Sequence, residues 1–194
     1  MRIAVFCGSN HGVSPEFMEE TKALAREMAK RNADLVYGGG KVGLMGTLAD
    51  EAISSAVHVI GVMPQSLVDY ELAHPDIDEL IIVSDMHSRK ALMAEHADAF
   101  IALPGGTGTL EEIFEAWTWA QLGLHSKPCG FLNINGYFDE LLIFFEKIIA
   151  SGFMKEEYAS MLTVSDNVGD LLDNIVSYTP PVPKWQQACI PESI

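Results

Sequence analysis

Short apolar runs alternate along the chain with longer segments in which apolar residues recur every three or four positions. The runs are continuous rather than alternating in polarity, which predicts strands buried on both faces, whereas the longer segments predict amphipathic helices. The predicted strands cover residues 3–7, 35–37, 57–63, 80–83, 99–103 and 130–134. The predicted helices cover residues 15–31, 43–55, 87–96, 109–122, 137–151 and 167–178.

The first helix has a defined start in the sequence. Ser14 is predicted as its N-cap and Pro15 as its first residue, a position where the missing amide of proline costs nothing. Its apolar face recurs at helical spacing along Phe17, Leu24, Ala25 and Met28.

This alternation of strand and helix predicts an α/β fold: a Rossmann-like, doubly wound parallel sheet with helices on both faces. Residues 1–178 are expected to form a single nucleotide-binding domain and residues 179–194 a C-terminal tail, because the tail opens on the sequence PPVP at 180–183. In such folds ligands bind beyond the carboxyl ends of the strands, so the loops that follow strands are the candidate functional regions.

Composition narrows the classes of partner. Hydrophobic residues make up 48% of the 194 residues and charged residues 20%, which is typical of a globular protein. Twelve Lys and Arg against 27 Asp and Glu give a net charge of −15, which disfavours nucleic acid and anionic membranes as partners. No signal peptide is recognisable, and no apolar stretch approaches the roughly 20 residues that span a bilayer. We therefore expect a cytoplasmic protein.

The cysteines agree with that location. Cys7, Cys129 and Cys189 are odd in number and show no CxxC spacing, which indicates a reducing compartment rather than a disulfide framework. No cluster of His, Cys and carboxylate residues has the spacing of a metal site, so no metal is expected.

The first glycine loop follows the second predicted strand. Gly38, Gly40 and Gly43 satisfy the GxGxxG pattern between a strand and a helix, which is the context of a dinucleotide fingerprint. The acid that should end the next strand is absent, because that strand ends in the sequence GVMP at 61–64. Two interpretations remain open at this stage: contact with a phosphate, or a tight turn with close packing.

The second glycine loop follows the fifth predicted strand and leads directly into a helix. Its sequence, PGGTGT at 104–109, lets the backbone approach a ligand closely and predicts an anion cradle for a single phosphate. Thr109 and Glu112 also have the spacing of a capping box, in which the threonine caps the helix and the glutamate reaches back to the cap amide. Spacing alone favours the capping box over a catalytic carboxylate.

A third candidate is the sequence MHSRK at 86–90, at the start of a helix after a strand. Arg89 and Lys90 place two cations at a helix N-terminus, where they oppose the helix dipole and therefore need a reason. A solvated helix face is the usual reason, but in so acidic a chain two cations near the carboxyl end of a strand make a phosphate partner more attractive.

Residues 104–112, PGGTGTLEE, resemble the PGGxGTxxE signature of the LOG ("Lonely Guy") family of cytokinin riboside 5′-monophosphate phosphoribohydrolases. The resemblance covers about residues 1–178 and includes FCGS at 6–9, YGGG at 37–40, GLMG at 43–46, MHxRK at 86–90 and TWAQLG at 118–123. Ser88 departs from the pattern, because most family members carry Glu or Gln between the histidine and the arginine. This departure bears on substrate preference.

The resemblance implies an enzyme that hydrolyses the N-glycosidic bond of N6-modified adenosine 5′-monophosphates, and in some members of AMP, to free base and ribose 5-phosphate. It implies Arg89 and Glu112 as the catalytic pair, with no metal and no cofactor. The candidate substrate-binding residues are Gly8, Ser9, Gly39, Gly40, Glu71, Arg89, Lys90, Gly105, Gly106, Thr107, Gly108, Thr109, Glu111, Glu112 and Thr118.

The resemblance also implies a homodimer that shares the surface of the helix after the second glycine loop and completes the sites. That helix carries more apolar residues than one core face requires, namely Ile113, Phe114, Trp117, Trp119 and Leu122, although core packing is the simpler interpretation of most of its aromatic residues. Two other functions remain open: a pyridoxal phosphate-dependent decarboxylase, for which Lys90 is the one motif lysine, and a non-catalytic nucleotide-binding or sensor protein.

Overall fold

A computed structural model describes residues 1–70 and 72–182. Within them, seven parallel strands form one sheet in the order β4-β3-β2-β1-β5-β6-β7. The strands are β1 (Arg2–Phe6), β2 (Asp34–Tyr37), β3 (Val59–Pro64), β4 (Glu79–Val83), β5 (Ala99–Ala102), β6 (Cys129–Leu132) and β7 (Leu162–Ser165).

Helices connect successive strands. They are α1 (Pro15–Lys30), α2 (Gly43–Ser54), α3 (Gln65–Val68), α4 (Met86–His96), α5 (Thr107–Gln121), α6 (Asp139–Ala150), α7 (Glu156–Ala159) and α8 (Val168–Ser177), with a 3₁₀ turn at Ile134–Gly136. The six longer helices lie within two residues of their predicted bounds.

The sheet is covered on both faces, because successive side chains of each strand enter different cores. Ile3 and Val5 pack with α1, α2 and α8, whereas Ala4 and Phe6 pack with α4, α5 and α6. Continuous apolar strands are the consequence, and the predicted doubly wound α/β class is confirmed.

The candidate site lies where the strand order of the sheet reverses. β1 is flanked by β2, which leads to one edge of the sheet, and by β5, which leads to the other. The chain segments that follow these two central strands run side by side: Leu103 N donates to Phe6 O at 2.9 Å, and Gly8 N donates to Pro104 O at 3.1 Å. The loops after β1 and β5 therefore open together at the topological switch point, where doubly wound folds bind ligands.

Three details differ from the sequence predictions. The four residues of β7 were missed, because this edge strand mixes polar and apolar positions and gives no continuous run. Strand β4 was expected to be buried, but it is the opposite edge strand and Ile82 is 48% exposed. Ser14 precedes α1 as expected, yet its hydroxyl bonds to Glu16 and does not cap the helix backbone.

Several expectations concern residues beyond this description. Glu71, Cys189 and residues 183–194 lie outside the described residues, and the division into a domain of 1–178 and a tail stays a prediction. Among the described residues, no helix has the length and apolar character needed to cross a membrane.

Candidate active site

The second glycine loop differs from its predicted form at the start of the helix. Helix α5 begins at Thr107 with Gly106 as N-cap, two residues earlier than expected, so the capping box from Thr109 to Glu112 is wrong. Thr109 lies inside the first turn and is 4% exposed. Because the helix begins at Thr107, Glu112 does not have the position of a capping residue, and its carboxylate is available for another role.

The first turn of α5 has the features of an anion site. No side chain caps it, and it contains no acidic residue. A Cβ added at Gly106 or Gly108 would meet no atom within 4 Å, so these two glycines face open space. Uncapped amides at a helix N-terminus, together with the helix dipole, bind phosphate groups.

Gly105 has a different role in the same loop. A Cβ there would overlap the side chain of Thr109 and lie 2.9 Å from Gly8 N. Gly105 is therefore required for the close packing of the two central loops rather than for access of a ligand.

Arg89 is held in place by contacts with strand β3 and helix α5. Its side chain is 11% exposed, its Nε donates to Val62 O at 3.0 Å, and its Nη1 lies 3.4 Å from Glu112 Oε1. The space for the guanidinium is left by Gly38, where a Cβ would overlap Nη2. The first glycine loop thus positions the cation of the predicted catalytic pair.

Helix α4, which carries Arg89, has a strong N-cap. Asp85 accepts hydrogen bonds from Ser84 Oγ, Ser88 N and Ser88 Oγ at 2.5, 2.8 and 3.0 Å. These bonds, that from Ser84 first, lower the pKa of Asp85 to about 2. Ser88, the departure from the family pattern, therefore stabilises the cap and lies outside the cavity lining described below.

The buried carboxyl of Glu112 is under two opposing influences. Its side chain is 12% exposed, and burial raises its pKa, while the charge of Arg89 lowers it. Burial is the larger effect, so the pKa of Glu112 stays above its usual range. Burial, with a smaller contribution from Glu112, raises the pKa of the neighbouring Cys7 thiol. A carboxylate and a guanidinium that are both largely buried and adjacent can stabilise charge that develops during a reaction.

The Lys90 side chain pairs with acidic side chains of α5. Its Nζ pairs with Glu111 and, at 3.1 Å, with Glu115 Oε2, so the second cation is engaged in a link between α4 and α5. Hydrogen bonding to Glu111, followed by Glu115, raises the pKa of Lys90. Its predicted contact with a phosphate stays a prediction.

A cavity of about 310 Å³, the catalytic cavity, opens between the loops after β1 and β5. Most of the predicted site residues line it together: Gly8, Ser9, Arg89, Gly106, Thr107, Gly108, Thr109, Glu111 and Glu112. Cys7, Met45 and Met86 also line it and were not predicted as site residues. All three lie within quoted motifs, FCGS, GLMG and MHSRK, which were the available signal.

Other predicted residues lie elsewhere. Gly39, at φ +76°, packs toward Met63 and Leu80, and Gly40 packs against Met45. Backbone bonds from Lys41 N to Leu72 O at 3.0 Å and from His74 N to Gly39 O at 2.8 Å join this loop to the segment around Glu71. These contacts are those of a packing turn, and the predicted contact of Gly39 and Gly40 with the substrate stays a prediction.

Thr118 also lies away from the catalytic cavity. It is exposed on α5, six residues beyond Glu112. That separation corresponds to about 9 Å along the axis and about 120° around it, so the two side chains point in different directions. The resemblance alone could assign Thr118 to a site.

The chain is similar in sequence to known proteins of one family. A family model described as "Possible lysine decarboxylase" matches residues 45–175. LOG3 of Arabidopsis thaliana, a cytokinin riboside 5′-monophosphate phosphoribohydrolase, is 45% identical over 179 residues, which cover 92% of this chain and 83% of that protein. The chain belongs to the LOG family. The resemblance found from its motifs is confirmed.

Further matches agree with this assignment and with the fold. LOGL1 of Oryza sativa subsp. japonica, a probable phosphoribohydrolase of the same kind, is 47% identical over 178 residues, covering 92% of this chain and 80% of that protein. Among solved structures, the molybdenum cofactor binding protein of Rippkaea orientalis has a TM-score of 0.69 at 21% identity, over 91% of this chain and 95% of that one. This last similarity shows that the chain shares its fold with a molybdenum cofactor binding protein.

Proposed function

We propose that the protein hydrolyses the N-glycosidic bond of adenosine 5′-monophosphates, preferably N6-modified ones, and releases the free base and ribose 5-phosphate. The observation that carries the proposal is the buried Arg89–Glu112 pair, 3.4 Å apart, beneath the uncapped N-terminus of α5. The relatives at 45–47% identity whose names state this activity support it.

The phosphate binds at the first turn of α5. The amides there are uncapped, and Gly106 and Gly108 leave room for the phosphate oxygens. One short glycine segment suits one phosphate, in agreement with a monophosphate. The sugar then lies over Glu112 and Arg89, the charged groups that line the same cavity.

The reaction breaks the bond between C1′ of the sugar and the base nitrogen. The bonding electron pair leaves with the base, and C1′ becomes positively charged. Water then adds its oxygen to C1′ and loses one proton, and the base takes up one proton, so the sum of the reaction is the addition of one water molecule. The Glu112 carboxylate stabilises that charge and holds the ribose hydroxyls or the water. The charge of Arg89 lowers the pKa of the Glu112 carboxyl and so offsets part of the larger, opposite effect of burial.

A lysine decarboxylase activity, the description attached to the family model, does not fit these residues. Pyridoxal phosphate needs a lysine that is readily deprotonated. Lys90, the motif lysine, pairs with Glu111 and Glu115, and these bonds raise its pKa. The residues at this site therefore do not suit a Schiff base.

The proposal includes a cytoplasmic homodimer. Cys7 and Cys129 are buried free thiols, as expected in a reducing compartment. The apolar residues of α5 support a dimer less than their number in the sequence indicates, because Ile113 and Trp117 are buried in the chain's own core and Phe114 packs on Phe145. In the proposed dimer, Thr118, which the resemblance assigns to substrate binding, contacts the nucleotide in the site of the second copy. Light scattering should give twice the 21.2 kDa chain mass, and a monomer at micromolar concentration counts against it.

The test of the activity is product release. Isopentenyladenosine monophosphate and AMP are incubated with the purified protein without metal or added cofactor, and base and ribose 5-phosphate are separated by chromatography. We expect equal amounts of both products. Binding of the nucleotides without release of base from any purine monophosphate would replace the hydrolase by a nucleotide-binding protein.

A further inference from the structure

His74 is the one buried histidine among residues 1–70 and 72–182, with 6% of its surface exposed. It lies in the connecting segment, residues 72–76, which follows α3 and leads to β4. A buried imidazole lowers stability unless its polar atoms find partners. His74 does not line the catalytic cavity, so any role in the site must act through other residues.

Both ring nitrogens of His74 have partners. Asp76 N donates to Nδ1 at 3.2 Å, and Nε2 lies 3.1 Å from Asp50 Oδ1 on α2. Because Nδ1 accepts a hydrogen bond, the ring proton lies on Nε2 and is donated to the Asp50 carboxylate. The neutral imidazole thus joins the connecting segment to a helix that is 24 residues away in sequence.

The backbone of the connecting segment is bonded to the first glycine loop. His74 N donates to Gly39 O at 2.8 Å, and Gly40 pairs with Ala73 in an antiparallel bridge. The side chain of His74 binds the same segment to α2 through Asp50. The first glycine loop is therefore bonded to a segment that is itself bonded to α2.

The same loop adjoins the catalytic pair. Gly38, the residue before Gly39, leaves the space for the Arg89 guanidinium, because a Cβ there would overlap Nη2. Displacing a reacting group by about 1 Å can lower a rate about 100-fold, so a small shift of the loop is enough to affect chemistry. The position of the connecting segment thus bears on the position of Arg89.

We propose that His74 is a positioning residue for the Arg89–Glu112 pair. Bound to Asp50, it holds the connecting segment and, through it, the first glycine loop in the position that keeps the guanidinium beside the Glu112 carboxylate. The inference rests on the proposed function for its effect on turnover. The contacts that carry it, from Asp50 to Arg89, belong to the fold and can be tested without substrate.

Asp50 offers a substitution that removes the hydrogen bond of His74 without opening the core. Its side chain is 74% exposed on α2, so alanine there costs little packing and suits a helix. The charges that act on the Glu112 carboxyl are those of Arg89, Glu111, Lys90 and Glu115, with Arg89 the largest. Asp50 is not one of them. A changed pKa of Glu112 in Asp50→Ala therefore reports a displacement of these groups.

The test measures kcat, KM and the acid limb of kcat with isopentenyladenosine monophosphate, and the titration of the Glu112 carboxyl by NMR without substrate. Asp50→Ala is expected to lower kcat about fivefold, the order that one hydrogen bond contributes, and to leave KM unchanged because the α5 N-terminus is intact. Because the charge of Arg89 lowers the pKa of Glu112, its displacement raises that pKa and moves the acid limb to higher pH.

Matched variants separate position from folding. Asp50→Asn keeps an oxygen that accepts from Nε2 and is expected to retain the wild-type titration of Glu112. His74→Gln keeps a donor to Asp50 and is expected to retain more activity than His74→Asn, which keeps only an acceptor for the Asp76 amide. Glu51→Ala removes the next carboxylate of α2, which pairs with Arg26 at 3.2 Å, and is expected to change neither kcat nor the titration.

The outcomes separate this inference from the proposed function. A raised pKa of Glu112 in Asp50→Ala and His74→Asn, with Asp50→Asn at the wild-type value, supports the positioning role. An unchanged titration of Glu112 in both Asp50→Ala and His74→Asn overturns it, even where Tm falls, because His74 then serves stability alone. If the wild-type protein releases no base, the hydrolase is overturned, and the NMR titration still decides the role of His74.

Discussion

The two glycine-rich loops look alike in sequence and serve different ends. In the first, the space for a Cβ at Gly38 and Gly43 is taken by protein: a Cβ would overlap Arg89 at one and the Ser9–Asn10 backbone at the other. In the second, Gly106 and Gly108 face open space at the start of α5. The first loop places a cation, and the second leaves room for a ligand.

The difference shows that a glycine pattern indicates a close approach to the backbone but does not identify the group that approaches it. Side chains and backbone of the chain itself occupy the space that the first loop leaves. The space beside Gly106 and Gly108 belongs to the catalytic cavity. Substitutions that add a single methyl group to each loop can therefore separate the two roles. The largest effect on activity is expected from substitution in the Arg89–Glu112 pair.

Glu112→Gln tests whether the open loop serves chemistry. The variant is expected to fold with a nearly unchanged Tm and to lose on the order of 100-fold or more in kcat, because the neutral amide no longer stabilises a positive sugar. Glu115→Gln, on the same helix but outside the catalytic cavity, is the matched control and should keep kcat within about threefold. A Glu112→Gln protein with wild-type turnover contradicts the mechanism.

Gly38→Ala tests whether the filled loop serves the site through Arg89. The added methyl group overlaps the flexible end of Arg89, so the guanidinium must leave Glu112 while the fold yields little. We expect about a tenfold or greater loss of kcat/KM. In an Arg89→Ala background the same substitution should have no further effect on activity, because the clashing group is gone. Independent losses in the double variant would show that Gly38 acts by another route.

Gly108→Ala tests whether the space in the second loop is for a ligand. Replacing a helical glycine by alanine is expected to raise stability by up to about 1 kcal/mol, and the methyl group should raise KM about tenfold by obstructing the phosphate. Gly105→Ala is the opposite case: it clashes with Thr109 and Gly8 and should lower Tm. If Gly108→Ala leaves KM unchanged, the phosphate binds elsewhere.

The smallest expected effect is on the pH profile. Burial raises the pKa of Glu112 above its usual 4.5, so activity that needs the carboxylate should fall as pH drops through a value above 4.5. Glu115 contributes to that increase, so Glu115→Gln should move the acid limb of kcat to lower pH. A wild-type limb at or below 4.5, measured with isopentenyladenosine monophosphate, argues that Glu112 is not the titrating group.

Much of the architecture was available from local sequence pattern. Strands buried on both faces need continuous apolar runs, and helices on a sheet need an apolar stripe, so these two periods revealed the doubly wound class. The motif around Glu112 and Arg89 identified the charged pair through its resemblance to a family. The edge strand β7 escaped because Leu162–Ser165 has no such run.

Only the tertiary structure decided how the motif residues are used. Whether α5 begins at Thr107 or at Thr109 depends on backbone geometry at the glycines, which spacing does not report. The roles of Gly38 and Gly106 depend on what lies opposite, and Arg89 meets both Val62 and Gly38 across separations of 27 residues or more in sequence. Periodicity records interactions within a few residues, whereas a cavity is formed by loops that strand order brings together.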